Sequence, residues 1–143
     1  MAQLSPYIHF NGNAEEAFTF YKSVFGGEFS KVTRYKDVAG MEHHLSETDA
    51  SRIMHIALPI GKNSYLMGSD TVEMMGRVTE NDNRNAIYLT AESRQEAEKL
   101  FNALSAGGMV EVPSDEDAGD AYFAMFADKF GIEWLLEYTP AQS

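Results

Sequence analysis

One stretch, YIHFNGNAEEAFTFYKSVFGGEF (Tyr7–Phe29), recurs later in the chain as IYLTAESRQEAEKLFNALSAGGMV (Ile87–Val110). A shift of 80 residues places Glu16 on Glu96, and each copy runs into a Gly-Gly pair. Self-similarity at a fixed spacing is typical of a duplicated structural unit. We therefore expect two copies of one supersecondary unit.

Each copy predicts a helix that follows a short β-rich run. The helix starts carry a capping pattern, Asn13 with Glu16 and Ser93 with Glu96, in which a side-chain oxygen accepts hydrogen bonds from free backbone N–H groups. Both helices have apolar residues at spacings of three and four, which is typical of a helix packed on a core. These residues are Ala14, Ala17, Phe18, Tyr21, Val24 and Phe25 in the first helix and Ala97, Leu100, Phe101 and Leu104 in the second.

Three β-like runs follow each helix. In the first copy they cover 28–36, 53–60 and 64–68, with a polar loop over 37–52 and a hairpin turn between the last two runs. In the second copy they cover 109–113, 121–127 and 132–138. The order β-α-β-β-β therefore occurs twice, which predicts an α+β fold.

The composition excludes several classes of function. The 143 residues include 11 basic and 22 acidic side chains, for a net charge of −11, and no cysteine. Nucleic acids and anionic membrane surfaces need clustered Lys and Arg, so neither is an expected partner. Disulfides and thiolate metal sites are excluded. The chain has neither a membrane-length apolar run nor a secretory signal pattern at its start, so we expect a cytoplasmic protein.

Three strings within the repeats resemble one family: PYIHFNGNAEEAFTFYKSVFGGE (Pro6–Glu28), HIALPIGKNSYLMGSD (His55–Asp70) and ADKFGIEWLLEY (Ala127–Tyr138). Together they resemble the PhnB-like branch of the vicinal oxygen chelate superfamily, which includes glyoxalase I, extradiol dioxygenases and bleomycin-resistance proteins. The resemblance implies two tandem βαβββ modules that form curved mixed sheets around a cavity. We expect one domain over 1–143 with repeats at about 4–70 and 84–139, assembled as a homodimer.

The superfamily resemblance also implies a divalent metal site with one ligand from the first and one from the fourth strand of each module. Aligned on the helices and glycines, these positions fall on Pro6, Met67, Ala86 and Leu135. None of these side chains ligates a hard metal well. We therefore predict no metal in the usual place, and no other cofactor, because a glycine-rich loop for a nucleotide-like group is also missing.

The four histidines offer few alternatives. We expect His9 to point toward the helix layer or a rim of the sheet, because we place its neighbours Ile8 and Phe10 on the cavity side and strand side chains alternate. His43 and His44 are adjacent in a polar loop, where a weak transition-metal site is conceivable but a solvated loop is favoured. His55 begins a strand, and its imidazole suits proton transfer near pH 7 as well as a structural hydrogen bond.

Strand alternation predicts an apolar and aromatic cavity lining with a few polar groups, which is typical of a small-molecule pocket. If Glu133 or Glu137 is partly buried there, its pKa is raised and it suits a general base, but strand ends are often exposed and a solvated glutamate is favoured. We expect Trp134 and Leu136 to pack under the helices. The predicted ligand-binding residues are His55, Tyr65, Met67, Tyr88, Glu133 and Leu135, with Ile8, Phe10, Ala86 and Glu137 also facing inward.

Three functional hypotheses remain from the sequence. The first is a small-molecule-binding protein of this superfamily without the usual metal site. The second is a lyase, isomerase or dioxygenase-type enzyme that uses either a relocated metal, for example at His55 and Glu133, or metal-free acid–base chemistry. The third is a protein whose sheets serve only assembly. No catalytic residue is assigned.

Overall fold

The computed structural model of the chain describes residues 2–38, 45–80, 84–113 and 120–140. The contacts divide the chain into two compact units, Met1–Val78 and Thr79–Ser143. In each unit a helix packs on one face of a four-stranded mixed sheet.

The first unit contains a sheet with the order β1-β4-β3-β2, in which β1 and β4 are parallel and the other neighbours are antiparallel. A short helix lies within the predicted polar loop, where Ser46 caps it through the N–H of Asp49. The elements are β1 (Tyr7–Phe10), α1 (Ala14–Phe25), β2 (Lys31–Arg34), α2 (Glu47–Ala50), β3 (Ile53–Ile60) and β4 (Ser64–Asp70).

The second unit repeats this topology, with the strand order β5-β8-β7-β6 and a parallel β5–β8 pair. Its elements are β5 (Ile87–Thr90), α3 (Arg94–Ser105), β6 (Met109–Val112), β7 (Tyr122–Ala127) and β8 (Glu133–Tyr138). The predicted α+β fold class and the double β-α-β-β-β order are therefore confirmed, although the predicted strand ends differ by a few residues.

Helix α1 packs closely on its sheet because Gly68 has no side chain. A Cβ atom at Gly68 would lie 2.8 Å from the ring of Phe18, which is fully buried. The Phe10 ring meets the Phe18 ring edge-on at 6.1 Å, and Ile8 is directly opposite Gly68. These contacts place Ile8 and Phe10 on the helix side of the sheet.

This placement corrects the prediction for β1. Ile8 and Phe10 face the helix, and His9 faces the opposite side of the sheet, where Ser69 is its direct neighbour. Alternation determines which residues share a face, but it does not determine which face meets the helix. That choice depends on the contact between β1 and α1.

Helix α3 packs in the corresponding way on the second sheet. Ala97 and Leu104 are fully buried, and the Phe101 ring contacts the Phe126 ring edge-on at 5.4 Å. Trp134 pairs with Phe126 across the sheet and is 1% exposed, and Leu136 is fully buried. Both residues lie on the helix side, as predicted.

The two helix starts are capped by different means. At α3 the predicted cap is present, because the Ser93 hydroxyl accepts a hydrogen bond from Glu96 N at 3.0 Å. At α1 the Asn13 side chain makes no capping hydrogen bond, so the predicted cap is wrong. The Asp70 carboxylate at the end of β4 accepts from Ala14 N at 2.8 Å instead.

Asp70 is 2% exposed and joins three parts of the first unit. One carboxylate oxygen accepts from Gly12 N at 3.1 Å as well as from Ala14 N, and the other accepts from Ile53 N at 2.9 Å. Its negative charge also lies at the positive end of α1.

Replacing this carboxylate should destabilise the protein strongly. We expect Asp70→Asn to lower the free energy of unfolding by about 2–4 kcal/mol, because an amide presents only one acceptor oxygen to three buried N–H groups. Urea unfolding measures the change. The control Asp37→Asn removes an exposed carboxylate that accepts from Arg34 N, and should cost about 1 kcal/mol or less. Equal losses for the two variants would contradict this prediction.

The helix caps give a second, paired test. Ser93→Ala should lower the free energy of unfolding by about 1 kcal/mol, whereas Asn13→Ala should change it by less than about 0.5 kcal/mol. The same unfolding measurement compares them. A larger loss for Asn13→Ala than for Ser93→Ala would show that the capping assignment is wrong.

Candidate functional site

Each sheet has one face covered by α1 or α3. We call the opposite face, on which neither of these helices packs in the described part of the chain, its open face. On the first sheet one row of direct neighbours crosses all four strands, in the order Lys31, Ala57, Met67 and Tyr7. Residues directly opposite each other lie on the same side of a sheet, so this row belongs to one face. The other pairs on the first open face are Thr33 with His55, Pro59 with Tyr65, and His9 with Ser69.

The Tyr7 ring lies next to two imidazoles on this face. Its centroid is 5.3 Å from that of His9 and 5.7 Å from that of His55. The Tyr7 hydroxyl donates to the Met54 carbonyl at 3.4 Å, and Nδ1 of His9 is 3.3 Å from the Ser69 hydroxyl. The first open face therefore combines aromatic rings with several hydrogen-bonding groups.

The environment of His55 favours its neutral form. Burial lowers the pKa of the imidazole below its ordinary value of 6.5, and the positive charge of Lys31 lowers it further. A neutral imidazole has one N–H donor and one acceptor nitrogen near pH 7. His55 can therefore exchange a proton or a hydrogen bond with a bound molecule.

The second open face is also aromatic and apolar, but its polar groups are acidic. One row of neighbours crosses the four strands in the order Val112, Met125, Leu135 and Tyr88. On either side of this row, Glu133 lies opposite Ala127, and Glu137 lies between Phe123 and Thr90.

Glu133 is the most perturbed acid of this face. It is 8% exposed. Burial raises the pKa of its carboxyl from the ordinary value of 4.5 to about 7, and a hydrogen bond with Glu111, the charge of Glu111 and the charge of Asp128 act in the same direction. Glu133 therefore gains or loses a proton near neutral pH, whereas the sequence favoured a solvated glutamate at this strand end.

The sequence did not indicate Glu111 as a functional residue. The β6–β7 register shifts between Val110 and Val112, so Glu111 is the extra residue of a β-bulge. Simple alternation along β6 gives no reason to pair it with Glu133. The only signal in the sequence is a charged residue between two valines in an otherwise apolar strand.

The six predicted ligand-binding residues form two groups. His55, Tyr65 and Met67 lie on the first open face, and Tyr88, Glu133 and Leu135 lie on the second. Their shared orientation within each sheet follows from the register. That they bind a ligand stays a prediction.

The metal-ligand positions that the resemblance implied, Pro6, Met67, Ala86 and Leu135, do not all lie on the open faces. The β1 residues on the same face as Met67 are Tyr7 and His9, so the position assigned to Pro6 is out of phase with this face. Pro6 and Met67 in the first unit, and Ala86 and Leu135 in the second, offer no oxygen or nitrogen side-chain donor. Among the described residues no group of three His, Asp or Glu side chains is arranged to hold a metal ion. His43 and His44 lie outside the described residues.

A separate polar crevice of about 320 Å³ lies where the carboxyl ends of β1 and β4 meet. It is lined in part by Asn11, Asp49, Arg52 and Glu73. The Asp49 carboxylate pairs with Arg52 at 3.5 Å and accepts from Glu73 N at 3.1 Å, and Asn11 accepts from Val78 N at 2.8 Å. These contacts hold the segment after β4 in place, which gives the crevice a structural role.

A sequence profile of the glyoxalase/bleomycin resistance protein/dioxygenase superfamily matches residues 3–136. This chain belongs to that superfamily. The match covers both sheets, and it confirms the resemblance seen in the repeats. None of the helices in the described residues is long and apolar enough to cross a bilayer.

Individual relatives agree with this assignment. The chain is 25% identical to the protein YjdN of Escherichia coli over 142 residues, which cover 97% of each protein. The crystal structure of PA1353 from Pseudomonas aeruginosa has a TM-score of 0.81 and 32% identity, and the match covers 96% of this chain and 98% of that one. A Bacillus cereus chain named as a PhnB protein has the same fold, with a TM-score of 0.71, 24% identity and coverage of 96% and 100%.

The raised pKa of Glu133 makes a prediction about stability and pH. The folded protein holds this proton up to about pH 7, whereas the unfolded chain releases it near its ordinary pKa. The free energy of unfolding therefore falls as the pH rises through this window. Because a glutamine at this position cannot ionise, Glu133→Gln should stabilise the protein by about 2 kcal/mol more at pH 8 than at pH 5.

Urea unfolding at the two pH values measures this difference. Glu137→Gln is the matched control, since it removes a carboxylate from the same strand and the same face. If both variants change the free energy of unfolding with the same pH dependence, the raised pKa does not belong to Glu133.

Proposed function

We propose that this chain is a small-molecule-binding protein of the superfamily, without the usual metal site, and that the open faces of its sheets hold the ligand. The observation that supports this proposal is the row of apolar and aromatic side chains on each face, with a few polar groups beside it. This mixture is typical of small-molecule sites. As part of the proposal, the protein is a cytoplasmic homodimer that binds neither nucleic acid nor membranes.

The exposure of the aromatic side chains supports the same proposal. Tyr65 is 44% exposed, Tyr88 is 60% exposed and Phe123 is 38% exposed, all on strand positions of the open faces. Aromatic rings bury a large area and keep little rotational freedom, so they bind planar molecules at low entropic cost. Contiguous exposed apolar area is typical of a binding surface.

An enzyme with metal-free acid–base chemistry is the second candidate. Glu133 favours it, because its pKa of about 7 suits a group that takes and returns a proton at neutral pH. Its carboxyl lies on the same face as Tyr88 and Leu135. If this candidate is correct, turnover of the ligand should depend on Glu133 and show an apparent pKa near 7.

The binding proposal is tested with a neutral planar probe, 1-naphthamide. Titration followed by amide chemical shifts should give saturable changes at Tyr65 or Tyr88, because a ring that stacks on a residue shifts its amide signal. Tyr65→Ala or Tyr88→Ala should weaken binding about five- to tenfold, as expected for the loss of one aromatic contact of about 1 kcal/mol.

Phe29→Ala is the control, since Phe29 lies outside the strands and contacts Lys22. It should leave the affinity for the probe unchanged. Absence of saturable binding by the wild type, or equal affinity loss in Phe29→Ala, would overturn the assignment of the open faces as the ligand site.

A further inference from the structure

The two open faces carry opposite charge, although they come from duplicated sequence. The chain has 22 acidic side chains, yet none occupies a strand position on the first open face. The charged or titratable nitrogen groups there are Lys31, His9 and His55. On the strand positions of the second open face the charged groups are acidic, namely Glu111, Glu133 and Glu137.

Two carboxylates of the first unit lie on the helix side of the sheet. The Asp70 carboxylate faces α1, where it accepts from Gly12 N and Ala14 N. Glu15 of α1 pairs with Arg34 at 2.6 Å. The sheet therefore separates both carboxylates from an anion that approaches the first open face.

Hydrogen-bonding groups on the first open face lie next to the Tyr7 ring and the Met67 side chain. Tyr7 and Met67 are direct neighbours in the row that ends at Lys31. His55 pairs with Thr33 on the next row of this face, two residues along the strands from the Lys31–Ala57 pair. The Lys31 ammonium, the His55 imidazole and the Thr33 hydroxyl thus lie on β2 and β3. The Tyr7 ring and the Met67 thioether lie beside them on β1 and β4.

We propose that the first open face binds an aromatic carboxylate, with its ring on Tyr7 and Met67 and its carboxylate toward Lys31 and His55. The inference rests on the proposed binding function and adds the charge of the ligand. A carboxylate accepts hydrogen bonds from ammonium, imidazole and hydroxyl groups. A cationic ligand would meet Lys31, and no described strand position on this face carries a carboxylate to pair with it.

Three probes of the same size test the charge. They are 1-naphthoate, which is anionic, 1-naphthamide, which is neutral, and 1-naphthylmethylammonium, which is cationic. Amide chemical-shift titration in low salt should give the tightest binding for the anion, about fivefold tighter than for the amide, since an exposed ion pair contributes about 1 kcal/mol at most. The advantage of the anion should shrink at 0.5 M salt, because salt screens exposed charges.

Two lysine variants test whether Lys31 causes the preference for the anionic probe. Lys31→Gln should reduce the affinity for 1-naphthoate to that for 1-naphthamide and leave the amide affinity unchanged. Lys62→Gln is the control, because Lys62 lies in the turn between β3 and β4, and it should preserve the preference for the anion.

The outcomes separate this inference from the proposed function. If the amide binds as tightly as the acid, or if Lys31→Gln leaves the anion preference intact, the charge assignment is overturned while ligand binding stands. If the shifts caused by 1-naphthoate fall outside Tyr7, His55 and Met67, the location is overturned. If none of the three probes binds saturably, the proposed binding function itself fails.

Discussion

The first unit depends on one buried carboxylate. Asp70 accepts hydrogen bonds from Gly12 N, Ala14 N and Ile53 N, and so joins the end of β4 to the loop after β1, the start of α1 and the start of β3. A buried anion is tolerated only where donors replace its water, which fixes all three segments around it. The register that brings Tyr7 beside Met67 follows from this arrangement.

The second unit also contains a buried carboxylate that accepts several hydrogen bonds, but at a different position in the fold. Asp128 is 2% exposed and accepts from Phe130 N, Ile132 N and the indole N–H of Trp134, which closes the turn between β7 and β8. The two units therefore have the same strand order, but the buried carboxylate lies at the end of β4 in the first unit and in the turn between β7 and β8 in the second. The Asp70 carboxylate lies on the helix side of its sheet, whereas the charge of Asp128 acts on Glu133 of the second open face.

Sequence patterns predicted correctly which of the proposed ligand-binding residues share a face, but they failed for the side assigned to β1 and for Glu111. His55, Tyr65 and Met67 share one face, and Tyr88, Glu133 and Leu135 share another, because alternation along regular strands is dictated by backbone geometry. The side assigned to β1 was wrong, since it depends on the contact with Phe18. Glu111 was missed because a bulge interrupts the alternation of β6.

By itself the sequence determined the duplicated β-α-β-β-β order, the Ser93 cap of α3 and the chemistry of the side chains at Met67, Ala86 and Leu135. All three depend on residues close together in the chain or on residue identity alone. Tertiary structure decided that Asp70, 56 residues away from Ala14, caps α1, and that burial beside Glu111 raises the pKa of Glu133 to about 7. Such contacts join distant strands, and their energies come from burial, which only the folded chain provides.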